Sequence, residues 1–302
     1  MTRAGFVWGA GLVALLVALP AAAESAAQTF NTALPVATGD FVLRQQLFIR
    51  SAGGDSRSAD REAHAWGSTS VLGYGVREDV TVFGAVPVAA KSLEATAAGG
   101  ARVERDTAGL GDVRVLARWT AHQADAPGRT FRIAPFAGVE APTGEDDARD
   151  ARGRLPRPLQ PGSGSWDPFA GVVATWQTLD YQLDGQISHK VNTRDEGFAF
   201  GDVTRLDVSG QYRVWPGELG TGVPGFLYAS LDANLVHRSE NTVAGRHDPA
   251  SGGVQVFLSP GLQYVTKRWV LEGVVQLPVA QARNELGLED DFVARLGFRV
   301  NF

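Results

Sequence analysis

The sequence predicts an all-β fold, a transmembrane antiparallel up-and-down β-barrel of about 12 strands. Three observations predict it. Short segments alternate apolar and polar residues, the connections between them run alternately long and short, and residues 24–302 hold no apolar stretch of the roughly 18 residues a membrane helix needs.

The first element is a leader. Arg3 precedes an apolar run from Ala4 to Leu19, closed by Pro20 and the small residues Ala21, Ala22 and Ala23. This is the layout of a secretory signal peptide, so cleavage is expected after Ala23. The expected organisation is a signal peptide over 1–23, an N-terminal periplasmic segment over 24–38 and an outer-membrane β-barrel over 39–302. The chain has no cysteine, which removes disulfides, thiolate metal sites and a Cys nucleophile. Its formal net charge is −5 with both signs spread along the chain, so no nucleic-acid partner is expected.

Strand-like segments lie near residues 40–50, 64–76, 79–90, 110–121, 130–141, 167–178, 181–192, 202–214, 225–237, 253–265, 269–280 and 291–302. The connections after the odd-numbered segments are long and polar: 51–63, 91–109, 143–166, 193–201, 239–252 and 282–290. Those after the even ones are short, as at Arg77-Glu78-Asp79, Leu179-Asp180 and Lys267-Arg268, or of middling length and rich in turn residues, as at 122–129 and 216–224. Long loops outside and short turns inside is the plan of an outer-membrane barrel. Tryptophan agrees: Trp119, Trp176, Trp215 and Trp269 fall at the periplasmic strand ends, and Trp66 and Trp166 at the outer ends, as two interfacial girdles.

The last segment, Phe292 to Phe302, alternates without a break, with Phe292, Ala294, Leu296, Phe298, Val300 and Phe302 on one parity. Its Arg295, Gly297, Val300 and Phe302 resemble the β-signal read by the barrel-assembly machinery. Lipid-facing parity elsewhere reads Phe41, Leu43, Leu47 and Ile49, then Val80, Val82, Val86 and Val88, then Leu206, Val208, Tyr212 and Val214.

The opposite parity is charged and cannot meet lipid cheaply, so it lines a lumen. Arg44, Arg118, Arg132, Arg213 and Arg299 sit toward the periplasmic ends, with Asp184 and Glu272 among the acidic residues of the same face. They form either a cationic constriction drawing anionic or electron-rich aromatic solutes, or an ion-pair network that fills and stiffens the barrel. Eight strands leave a filled interior and sixteen a channel, so twelve lies between. Parity is blurred on the second and sixth segments, where glycine and alanine intervene.

No cofactor, metal site or catalytic residue is expected. The five histidines lack ligand or catalytic spacing. Ser188-His189 beside Asn192 invites comparison with the outer-membrane phospholipase, but Val191 stands where that motif needs serine. Glu145, Asp146, Asp147 and Asp150 read as solvated loop charge, with divalent-cation binding as the alternative.

Several phrases together resemble the outer-membrane barrels grouped under a meta-pathway of phenol degradation and described as transporters. They are Gly109-Leu-Gly-Asp-Val-Arg114, Ala141-Pro-Thr-Gly144, Gly162-Ser-Gly-Ser-Trp-Asp167, Asn234-Leu-Val236 and Tyr74-Gly-Val-Arg-Glu-Asp79, whereas residues 145–161 look peculiar to this chain. The resemblance implies a barrel that admits hydrophobic or aromatic compounds and carries over no catalytic residue. The expected partners are outer-membrane lipids, the barrel-assembly machinery and a small-molecule solute. The alternatives are a closed structural barrel with partner-binding loops, a component of a metal-tolerance system and a lipid-modifying enzyme.

Overall fold

The computed structural model describes residues 29, 31–55, 59–97, 99–220, 222, 225–285 and 287–302. The leader expected over 1–23 and the first residues of the segment after it lie outside this set.

Twelve long strands among the described residues close into one barrel. They are β1 (Phe41–Gly53), β2 (Glu62–Arg77), β3 (Val80–Thr96), β4 (Arg102–Leu110 and Val113–Trp119), β5 (Arg129–Ala141) and β6 (Asp167–Thr178). Then follow β7 (Tyr181–Lys190), β8 (Val203–Trp215), β9 (Phe226–Arg238), β10 (Gly253–Val265), β11 (Trp269–Arg283) and β12 (Glu289–Asn301). Each pairs antiparallel with its sequence neighbours, and β12 returns to β1 in register from Val42↔Asn301 to Gly53↔Glu289. The seam is tied at the base, where Phe41 N donates to Phe302 O at 2.7 Å and Phe302 N to Phe41 O at 3.0 Å. Their rings stack 5.8 Å apart.

Closure leaves no edge inside the lipid, where an unpaired backbone amide would find no water. Outward side chains are apolar and bare: Leu47, Ile187, Leu231, Leu262 and Leu296 are each more than half exposed. The six expected girdle tryptophans all sit on the outer surface at strand ends or just beyond them, from Trp176 at 36% exposed to Trp66 at 65%.

The wall differs from the expected segments chiefly in three places. Residues 91–109, expected as a long connection, mostly continue the sheet, with β3 running on to Thr96 and pairing with Arg102–Leu110 of β4. The 122–129 stretch, expected as a connection, is a hairpin in which His122–Ala126 pairs with Arg129–Ile133 and carries the sheet below the membrane. Strand β4 is also interrupted. Pro87 of β3 has no N–H to give, and the partner strand bulges opposite it at Gly111 and Asp112, slipping the register from Val88↔Leu110 to Ala85↔Arg114.

The lumen has an apolar wall and a polar one. Val71, Phe83, Ala85, Leu116, Ala134, Phe136, Phe169 and Val173, from β2 to β6, form one buried cluster. Three of its rings lie across glycines of the neighbouring strand, Phe83 on Gly73, Phe169 on Gly138 and Phe136 on Gly171, where an added Cβ would stand within 2.7 Å of the ring. From β7 round to β1 the inward residues are buried and polar, among them Asp184, Asp207, Asp232, Asn234, Gln255 and Arg44.

Of the expected periplasmic segment, the described residues Thr29 and 31–36 lie inside the barrel. From a bridge between Thr38 and Gly75 at the base, residues 36 to 31 and Thr29 run up through the lumen, with Ala33 fully buried in the apolar cluster. Ala33 N, Val36 N and the carbonyls of Thr32 and Leu34 are answered by side chains of the wall, which lets Ala33 leave water without stranding these groups.

Leu296 faces lipid midway along β12, opposite Leu47 of β1. Leu296→Arg is expected to cost about 2–4 kcal/mol of barrel stability, read as a lower midpoint in urea unfolding from lipid bilayers.

Candidate functional site

The five arginines expected to share a constriction are used separately. Arg44 Nε donates to Glu272 Oε1 at 2.7 Å, and Gln263 Nε2 holds the other oxygen at 3.0 Å. Gly297 makes this pair possible, because a Cβ there would lie 2.5 Å from Glu272 Oε1. Arg299, opposite Arg44 in the register, is half-buried on the same wall. Arg213 Nε reaches Asp180 in the β7 turn at 3.0 Å. Arg132 donates to Thr130 Oγ1 at 3.2 Å and stands 3.9 Å from Asp125 of the lower hairpin. Those two belong to the periplasmic rim, each drawn to the nearest turn carboxylate. Asp184 accepts from Thr175 Oγ1 at 2.5 Å and Gln182 Nε2 at 2.8 Å, both neutral donors, so it braces none of them by an ion pair.

Arg118 has another task. Its guanidinium donates to the carbonyls of Thr32 and Leu34 at 2.5 and 2.6 Å, gripping the N-terminal segment. Val36 N donates to Thr81 Oγ1 at 3.1 Å, and Ala33 N to Thr175 Oγ1 at 2.8 Å. At the upper end Thr29 Oγ1 donates to Asp232 Oδ2 at 2.8 Å and accepts from Asn234 Nδ2 at 3.0 Å. The segment thus crosses the lumen from β3 to β9.

The mouth is covered by the connection between β5 and β6, residues 142–166. Its Ala148, Leu155 and Leu159 pack on Ala52, Ala63, Leu93 and Leu288 at the tops of the strands and the last loop. The buried Gln160 amide ties the loop to itself through Ala148 N, Ala148 O and Leu155 O. Arg157 donates to Asp195 at 2.8 Å and Glu196 at 2.9 Å in the next loop. Arg105 of β4 holds both oxygens of Asp150, at 2.7 and 2.8 Å. Hydrogen bonding from this guanidinium lowers the Asp150 carboxyl below the usual carboxylate range. Asp146, Asp195 and Glu196 come close together, but Arg154 and Arg157 share their charge, so the trio is an ion-pair cluster.

Under this lid lies a cavity of about 170 Å³. Loop residues Arg157 to Ser163 roof it, and Phe48, Phe169 and Val236 are among the strand residues that wall it. Ser188 points in and His189 points out to lipid, where its Nδ1 lies 2.9 Å from Thr204 Oγ1. Neighbours on opposite faces cannot act as nucleophile and base.

The family model described as "Putative MetA-pathway of phenol degradation" matches residues 57–277. The chain belongs to this family. Among solved structures it is similar to the COG4313 outer membrane channel from Pseudomonas putida F1, at a TM-score of 0.63 and 16% identity, covering 90% of this chain and 97% of that one. Similarity is lower, at a TM-score of 0.46 and 12% identity, to the transport unit of the autotransporter AIDA-I from Escherichia coli, covering 86% of this chain and 90% of that one. No curated protein matches the chain. It is an outer-membrane barrel of the phenol-degradation family.

Three of the phrases that carry the family resemblance meet at one carboxylate. Asp112 Oδ1 accepts from Gly144 N at 2.9 Å and Oδ2 from Ser163 N at 2.7 Å, while Val113 N donates to Thr143 Oγ1 at 2.9 Å. The clasp pins both ends of the lid where β4 parts from β5. Gly144 and Gly162 cross there so tightly that a Cβ on Gly162 would lie 2.4 Å from Gly144 O. These phrases therefore specify a loop attachment. Sequence reasoning missed Thr29, Ala33, Lys91 and Arg238; only lumenal parity, unreadable in so small-residued a stretch, could have pointed to Lys91.

Glu272→Ala leaves Arg44 buried beside Arg299 and is expected to destabilise the folded barrel by about 3–5 kcal/mol, measured by denaturant unfolding. Asp150 is a lowered carboxyl, so the stability it contributes is present above the unfolded value and lost as pH falls through the folded one. The protection of amides 149–154 against hydrogen exchange, taken relative to the intrinsic rate at each pH, is expected to stay constant from neutral pH down to the ordinary carboxylate range and to fall only below it.

Proposed function

We propose that the barrel lets small molecules cross the outer membrane, with the N-terminal segment as inner gate and residues 142–166 as outer lid. One observation carries this reading: a cavity lies under an outer lid, and a second covering crosses the lumen, neither of them part of the wall. A barrel meant only to be stiff could fill the same space with side chains. The gate is separable from the wall, since residues 29–36 join it through side-chain hydrogen bonds rather than a strand ladder. Each such bond is worth about 0.5–1.5 kcal/mol net, so release leaves the closed sheet intact. The reading assigns transport and no reaction.

Deleting residues 29–36 is expected to leave the heat-modifiable folded band on gels and to raise single-channel conductance in planar bilayers several-fold. A deletion protein that inserts with the conductance of the wild type would sink the gate, and one that passes no ions or solutes would favour a closed structural barrel.

A further inference from the structure

We infer that the cavity under the lid is a receptor for a small amphipathic anion, a carboxylate carried on an apolar body about the size of one ring. The inference rests on the passage reading and names the solute class for it. The filter expected at the periplasmic mouth is absent as a shared ring, and the cationic surplus lies in the outer half of the lumen instead.

Three features of the cavity point to this ligand. The first is charge. Lys91, Arg114, Arg157, Lys190, Arg205 and Arg238 line it, against Asp112, Glu140 and Asp167. Arg157 is answered by the loop carboxylates Asp195 and Glu196 and Arg205 by the buried Asp207, which leaves four cations facing three anions.

The second is that these three anions are already engaged. Asp112 takes the two lid amides. Glu140 pairs with Arg114 and, at 3.3 Å, with Lys190. Asp167 accepts from Ser165 Oγ at 2.9 Å and Thr193 N at 2.8 Å, with Lys190 at 3.8 Å. The ammonium of Lys91 meets only carbonyls, Gln160 O at 2.6 Å and Pro158 O at 3.5 Å, which orient it without cancelling its charge. Several cations in a low-dielectric cleft raise the local concentration of anions. An entering carboxylate gains a charge-assisted bond, a neutral hydroxyl gains less, and an ammonium is repelled.

The third is shape and greasiness. Phe48, Pro87, Ala89, Pro161, Phe169 and Val236 supply apolar surface around the charged groups. The volume of about 170 Å³ suits one ring, since a cavity of about 150 Å³ takes benzene. A free inorganic anion would leave this surface unused.

The test uses the full-length purified barrel and three probes of one size: benzoate, benzyl alcohol and benzylamine. By titration calorimetry at neutral pH, benzoate is expected to bind at least tenfold more tightly than benzyl alcohol, with benzylamine not binding. Lys91→Met is expected to lower benzoate affinity about tenfold and leave benzyl alcohol unchanged. Because Lys91 also holds the lid, Arg238→Gln is the second variant, with a smaller loss in the same direction. Equal binding of benzoate and benzyl alcohol, or wild-type benzoate affinity in both variants, overturns the inference. Proteoliposome uptake separates the two readings. If benzyl alcohol crosses and benzoate binds no better, passage stands and the anion receptor falls; if benzoate binds as expected but neither solute crosses, the receptor stands and passage falls.

Discussion

Everything in this molecule follows from closing an alternating sheet in a solvent that cannot hydrogen-bond. Lipid forces every backbone amide in the wall into the ladder and every charged side chain to the other face. The joint at Phe41 and Phe302 is where that closure is completed. The constraint then moves inward. A twelve-stranded lumen is wider than its own side chains fill and narrower than an open pore, so the chain closes it with parts of itself.

How it does so depends on the two lumenal walls. The apolar wall from β2 to β6 can accept a piece of chain only if that piece brings apolar surface and has its peptide groups met elsewhere. Ala33 supplies the first, and Arg118, Thr175 and Thr81 supply the second. The polar wall keeps its charges in place by local pairing, such as Arg44 with Glu272 and Arg50 with Asp290. A lone buried charge costs several kcal/mol, whereas a paired and hydrogen-bonded one need not. That is why Arg44, Arg118, Arg132 and Arg213 each turn to a separate acceptor rather than gather in a ring.

The wall was largely legible in the sequence because its signal is repeated. Alternation, connection length and tryptophan placement each recur strand after strand, so an error at one strand is corrected by the next. The lumen was not legible, for a reason visible at Gly73, Gly138 and Gly171. Gly73 and Gly171 blurred the parity of β2 and β6, and the three glycines are the seats of Phe83, Phe169 and Phe136. A ring contributed by one strand and its space by another leaves no periodic trace in either. The β4 bulge escaped notice similarly, since Pro87 acts across the sheet at Gly111. Which acceptor each arginine takes is decided by register and side-chain reach, neither of which strand parity carries.

The two closures differ in kind, and the difference bears on which of them can open. The lid is fixed by an apolar cluster, by bidentate arginine pairs and by the Asp112 clasp at both its ends. Moving it would expose Leu155 and Leu159 to water and separate several charges together. The segment is held, apart from the Arg118 grip, by single hydrogen bonds whose wall partners remain beside other polar groups when it leaves: Thr175 keeps Asp184, and Asp232 keeps Ser209. Its departure therefore strands few polar groups, and water or a passing solute can take up the carbonyl sites on Arg118. The inner covering is the one built to exchange partners, and the outer one is built to shape what reaches it.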